Sequence, residues 1–121
     1  LIGKERRIDP LLIVAIIAIE SRFNPFAVSP MGAQGLMQVI PRFHMDKIPD
    51  DAGERPFLDP ATNIRIGTTV LAEAIRLRGS LTGGLQFYAG SSDPAAGYAN
   101  RVLAEKARLE QATQRGSTPS A

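Results

Sequence analysis

Residues 11 to 19 read Leu-Leu-Ile-Val-Ala-Ile-Ile-Ala-Ile, an unbroken apolar run, and the next residue is a carboxylate, Glu20. Asp9-Pro10 opens the run. Aspartate is a favoured helix N-cap, and proline suits the first helical position, where its missing N–H costs nothing. So short a run cannot span a bilayer and must find cover inside a protein, so a buried helix is expected. A secretory signal has an apolar stretch of similar length, and Arg6-Arg7 would flank it, but no small-residue cleavage motif comes after it. On the helix, Glu20 falls on the same face as Ile13, Ile16 and Ile17. Its carboxyl then either lies in low-dielectric surroundings, holding its proton to higher pH as a general acid must, or snorkels from the helix end into water. The run by itself leaves both open.

The same punctuation predicts the other helices. Asp59-Pro60 opens a helix from about Pro60 to Arg78, with Ile64, Val70, Leu71, Ala74 and Ile75 inward and Gly79 as its stop. Ser80 caps a short helix carrying Leu81, Leu85 and Tyr88, stopped at Gly90. Asp93-Pro94 opens a last helix through Tyr98, Val102 and Leu109. Between Asn24 and Pro60 the texture changes to Gly, Pro and Ser, with at most a short helix over Gln34 to Ile40, one further turn over Pro41 to Lys47, and a loop from Ile48 to Pro56. No segment alternates with period two, so the fold class expected is all-α. Residues 1–110 form one domain, and the polar residues 111–121 read as a flexible tail.

Composition excludes several functions. With no cysteine there is no thiol nucleophile, disulfide framework or zinc-cysteine site. The 14 basic and 12 acidic residues nearly balance, and the one small basic cluster, Lys4, Arg6 and Arg7, is no nucleic-acid stripe. The lone His44 sits in a polar stretch without a nucleophile or metal ligand nearby in sequence, and is expected at the surface.

The residues after Glu20 give it a context. Ser21 comes next, then Ser29-Pro30-Met31-Gly32-Ala33-Gln34-Gly35-Leu36-Met37-Gln38, and Pro41. This order and spacing resembles the lytic transglycosylases that share the goose-type lysozyme fold. The resemblance continues through Leu58-Asp59-Pro60-Ala61-Thr62-Asn63-Ile64, Gly67, Tyr88 and the stretch from Gly97-Tyr98 to Val102, covering roughly residues 8 to 105. It implies a compact lysozyme-like helical domain with a substrate groove. The implied activity is non-hydrolytic cleavage of the β-1,4 bond between N-acetylmuramic acid and N-acetylglucosamine in peptidoglycan, leaving 1,6-anhydromuramoyl ends. In such enzymes one glutamate acts first as acid and then as base, the muramic N-acetyl group assists, and the sugar's own 6-hydroxyl attacks. The resemblance places Glu20 in that role and gives substrate-binding roles to Ser21, Ser29, Gly35, Met37, Gln38 and Tyr88. It calls for no metal or other cofactor. Glycan strands are the implied partner, and the cell envelope, periplasmic or otherwise exported, is the implied location. Since the chain begins at Leu1 without methionine, a processed or trimmed fragment is expected.

Each residue also has a plainer reading. Gly32 and Gly35 turn a chain, Met37 is the kind of residue that fills a core, Ser21 can close a helix end, and Tyr88 can be a core tyrosine. Of the other carboxylates, Asp59 and Asp93 read as helix caps and Asp46, Asp50, Asp51 and Glu54 as solvated loop charges. One departure stands out. The family continues its tyrosine as Ala-Tyr-Asn-Ala-Gly, whereas this chain has Gln86-Phe87-Tyr88-Ala89-Gly90. Ser91, Ser92 or Asn100 are the candidates to replace the missing amide. The divergence suggests a branch that trims the wall locally, with a cell-envelope or secretion-system component as partner. The competing functions are a hydrolytic muramidase on the same fold and an idle wall-binding module.

Overall fold

A computed structural model describes residues 8–90 and 97–117, with side chains as far as residue 114. Among the described residues four helices make the frame: α1 (Pro10–Ser21), α2 (Pro60–Arg78), α3 (Leu81–Tyr88) and α4 (Gly97–Ser117). Helix α1 packs on α4, α2 on α3, and α3 also meets α4. The expected caps are in place. Asp9 accepts from the Leu11 N–H at 2.9 Å, Asp59 from Thr62 at 2.9 Å and Ser80 from Gly83 at 3.0 Å. Gly79 takes a left-handed φ of 77° and ends α2. The Asp93-Pro94 start, Ser91, Ser92 and the Lys4, Arg6 and Arg7 cluster lie outside the described residues.

The apolar run of α1 is interior, with Leu12, Ile13, Ala15, Ile16 and Ile17 all buried. They join Leu71, Leu85, Ala99 and Val102 from the other three helices in one core. On α2 the inward stripe differs from expectation: Leu71 and Ala74 are buried, but Ile64, Val70 and Ile75 are half-buried, while Asn63, Ile66, Gly67 and Thr68 are sealed. Gly67 is needed there because a Cβ would fall 2.5 Å from the Met37 sulfur. No helix among the described residues is long and apolar enough to cross a membrane.

Two expectations need correction. Helix α4 runs past Leu109 to Ser117, so residues 111–117 of the expected flexible tail are helical. The continuation is favoured by good helix formers and by pairs one turn apart, such as Lys106 with Glu110 at 2.8 Å. The second concerns Gln34–Ile40, which is not a helix. Gly35 (φ 80°) and Gln38 (φ 52°) are left-handed, and Gln34 forms isolated antiparallel bridges with Val28 and Val39. Among the described residues there are no strands beyond these bridges, and short 3-10 turns follow at Pro41–Phe43, Met45–Lys47 and Pro56–Leu58.

Candidate active site

Glu20 sits one residue from the end of α1, where the chain turns sharply away. Arg22 and Phe23 come next in left-handed conformations, φ 52° and 65°, and the Arg22 N–H closes the helix on the Ala18 carbonyl. The turn carries residues 24–40 back across the helix end as a folded loop. There the Gly35 N–H reaches the Ala27 carbonyl at 2.8 Å, and Gln34 and Val39 exchange both backbone hydrogen bonds.

Asn63 of α2 locks this loop. Its side chain donates to the Gln34 carbonyl at 2.8 Å and the Phe57 carbonyl at 2.7 Å, and accepts from the Met37 N–H at 2.8 Å. The group is fully buried, so all three bonds form in a low-dielectric setting where an unpaired partner would be costly. Gly35 is required beside it, since a Cβ would lie 2.3 Å from the Phe57 carbonyl oxygen and 2.4 Å from the Asn63 amide nitrogen. In the sequence, Asn63 falls within the family stretch with nothing local to mark its role except its place, an asparagine at the inward position one turn into a helix.

Between this loop, α2 and α3 lies a cleft of about 610 Å³, lined among others by Glu20, Ser29, Gln38, His44 and Tyr88. Glu20 is the sole carboxylate among the described residues that line it. Burial raises its pKa above the usual glutamate value, opposed by the Tyr98 hydroxyl and by the positive charge of Arg101. The Tyr98 hydroxyl is buried beside the carboxyl without a well-directed hydrogen bond to any group. Tyr88 donates its hydroxyl proton to the Met37 carbonyl at 2.7 Å, and burial together with the nearby Glu20 charge pushes its own pKa up. Both tyrosines thus stay protonated around the acid.

The expected binding residues divide. Glu20, Ser29, Gln38 and Tyr88 come together on the cleft, while Ser21, Gly35 and Met37 do not line it. Met37 is fully buried, packed where Gly67 makes room, so its sulfur has no surface to offer a sugar. Ser21 donates to the Ile17 carbonyl at 3.1 Å and closes the helix. Even the cleft residues have structural tasks: Ser29 Oγ accepts from the Ala33 N–H, and Gln38 donates to the Ala27 and Gly35 carbonyls, each at 3.0 Å. The Gln38 carbonyl oxygen remains for a ligand. His44, expected at the surface, is instead a cleft residue, brought there by the turns after Pro41. Asn100 is exposed and does not line the cleft. A second cavity of about 390 Å³ is lined by Pro41, Met45 and Phe57 among others. No group of three or more His, Cys, Asp or Glu among the described residues could hold a metal ion.

Residues 2–100 match the family described as Transglycosylase SLT domain. The soluble lytic murein transglycosylase of Salmonella typhimurium is 46% identical over 63 residues, 48% of this chain and 10% of that protein. The membrane-bound lytic murein transglycosylase C of Actinobacillus pleuropneumoniae is 43% identical over 76 residues, 58% of this chain and 21% of that protein. The chain therefore spans between a tenth and about a fifth of the length of these relatives. Among solved structures, an inactive mutant of the lytic transglycosylase Slt from Pseudomonas aeruginosa superposes with a TM-score of 0.80 at 22% identity, covering 93% of this chain and 23% of that one. The likeness establishes a shared helical fold.

Proposed function

The chain belongs to the Transglycosylase SLT domain family, and from that premise we propose that it is a peptidoglycan lytic transglycosylase with Glu20 as its single acid and base. The observation that carries the proposal is the cleft lined, among the described residues, by one carboxylate, whose pKa burial raises. A glycan strand lying in the cleft presents its muramic–glucosamine linkage to Glu20. The protonated carboxyl donates to the bridging oxygen as its bond to the anomeric carbon breaks. The carboxylate so formed then takes the proton of the muramic 6-hydroxyl as that oxygen bonds to the anomeric carbon. Glu20 returns to its starting state, no water is consumed, and the product carries a 1,6-anhydro ring. With no second carboxylate on the cleft among the described residues, the muramic N-acetyl group supports the developing positive charge.

In this reading Ser29, Gln38 and Tyr88 meet the glycan, while Ser21, Gly35 and Met37 shape the site from behind. Residues 1–110 carry the activity. The substrate sets the location, the cell envelope on its exported side, and a wall-spanning or secretion assembly is the partner expected to recruit the domain.

Mass spectrometry of muropeptides released from purified cell walls tests the proposal. Wild type should release anhydromuramoyl products, and Glu20→Gln, which keeps shape but has no proton to give, should lower their yield about 10²- to 10⁴-fold. Reducing muramic ends in place of anhydro ends would instead identify a hydrolase.

A further inference from the structure

Among the described residues, several of the polar side chains that line the cleft are already engaged by the protein. Tyr88 donates to Met37, Gln38 donates twice to the loop backbone and Ser29 accepts from Ala33. His44 is different, because its Nδ1 is sealed from solvent and has no hydrogen-bond partner at all. A sealed nitrogen without an acceptor disfavours a proton, since an N–H there would be buried unsatisfied; a bare lone pair is the cheaper state. The ring proton therefore belongs on Nε2, and a second proton, which would have to go to Nδ1, is resisted. Burial and the charge of Lys47 lower the His44 pKa in the same sense, against the smaller opposing influence of Asp46 and Glu73.

The ring is also held in place. Lys47, three residues on, reaches Glu73 of α2 at 3.4 Å and Asp46 at 3.7 Å, tying the His44 turn to the helix that supplies Val70 and Ala74 to the cleft wall. The Phe43 ring stands edge-on to the imidazole, centroids 6.5 Å apart. A neutral imidazole fixed in the wall of a sugar cleft, with one N–H and no cation, is a donor for a neutral oxygen acceptor.

Resting on the transglycosylase reading, we infer that His44 is a substrate-positioning residue that donates its Nε2–H to an uncharged oxygen of the glycan, an N-acetyl carbonyl or a sugar hydroxyl. It performs no proton transfer. The tests use peptide-free glycan strands from amidase-treated cell walls. His44→Phe keeps the ring volume without the donor and should raise KM about tenfold, the scale of one lost hydrogen bond, with kcat changed less than twofold. His44→Gln places an amide N–H near the Nε2 position and should recover most of the loss. Binding of the same strands to Glu20→Gln, with and without His44→Phe, should show the tenfold loss of affinity with no turnover involved. An active wild type whose KM and affinity are unmoved by His44→Phe would overturn this inference and leave the transglycosylase reading standing. A wild type that releases no anhydro product would remove that reading first, and the binding arm would still show whether His44 contacts glycan. A KM loss that His44→Gln fails to recover would assign His44 a packing role and overturn the donor assignment.

Discussion

Helix α1 and the loop that folds back across its end bury their chain by different means. In α1 the backbone satisfies itself, and the side chains that disappear from water are aliphatic: Leu12, Ile13, Ile16 and Ile17. Burial of that kind is non-directional and tolerates small shifts. In residues 24–40 few large apolar groups are buried, and Phe26, Val28 and Met31 face solvent at 73%, 61% and 67%. That segment keeps its shape through directed bonds: Asn63 to three backbone groups, Gln38 to two, Ser29 to one, around residues held at positive φ. Directed bonds fix a position within narrow limits, which suits the wall of a site where groups must be placed to a fraction of an ångström. The helices supply stability, and the loop supplies placement.

The sharpest way to break this comparison is Asn63→Leu. The side chain is close in volume, so packing is nearly preserved, but the Met37 N–H and the Phe57 carbonyl lose their side-chain partner in a sealed site, while the Gln34 carbonyl keeps only the Val39 N–H. Each buried unpaired group costs about 1–3 kcal/mol, so for these two a total loss of roughly 2 kcal/mol or more is expected in denaturant unfolding. Activity should fall further than stability accounts for, because Met37 and Gln38 carry the positions of Tyr88 and the cleft wall. A variant with stability and kcat near wild type would show that the loop is held by packing after all.

A smaller effect is expected on the helical side. Ser80→Ala removes the α3 cap, whose Oγ accepts from the Gly83 N–H at 3.0 Å. Loss of about 1 kcal/mol should appear in denaturant unfolding, with cell-wall clearing at room temperature unchanged. If activity dropped in step with that modest loss, the division between frame and site would fail.

The same contrast explains what could be read from the chain beforehand. Pro10–Ser21, Pro60–Arg78 and Leu81–Tyr88 were legible because caps, apolar runs and stop signals lie within each segment. Glu20 was legible as a position on an apolar face. Gln34–Ile40 was not, because its conformation depends on Asn63, a partner 26 to 29 residues away. No local pattern reports such a bond. Met37 had two readings, sugar contact and core, and only the tertiary fit against Gly67 decides for the core. His44 looked like a loop histidine because the turns that carry it to the cleft have no periodicity of their own, and the Lys47–Glu73 ion pair beside them joins residues far apart in the chain. The length of α4 was underestimated because polar residues can continue a helix through one-turn pairs as well as end it.

Glu20 stands at the junction of the two regions, and its stability signature should be the smallest and most specific of these effects. Unfolded, the carboxyl titrates near 4.5; folded, burial puts its pKa higher. Between those values the folded chain binds more protons than the unfolded one, so stability falls as pH rises through the folded pKa. The benefit is complete only below 4.5, and above the folded pKa the ionised carboxylate is a burden that the frame carries for the sake of the site. Glutamine has no such titration. The melting temperature of Glu20→Gln should therefore exceed that of wild type near neutral pH, and the gap should shrink as pH is lowered toward 4.5. A gap that stays constant with pH, or wild type melting higher at neutral pH, would mean that water already solvates the carboxylate. Glu20 would then be a helix-end charge, and its role as the acid would fall.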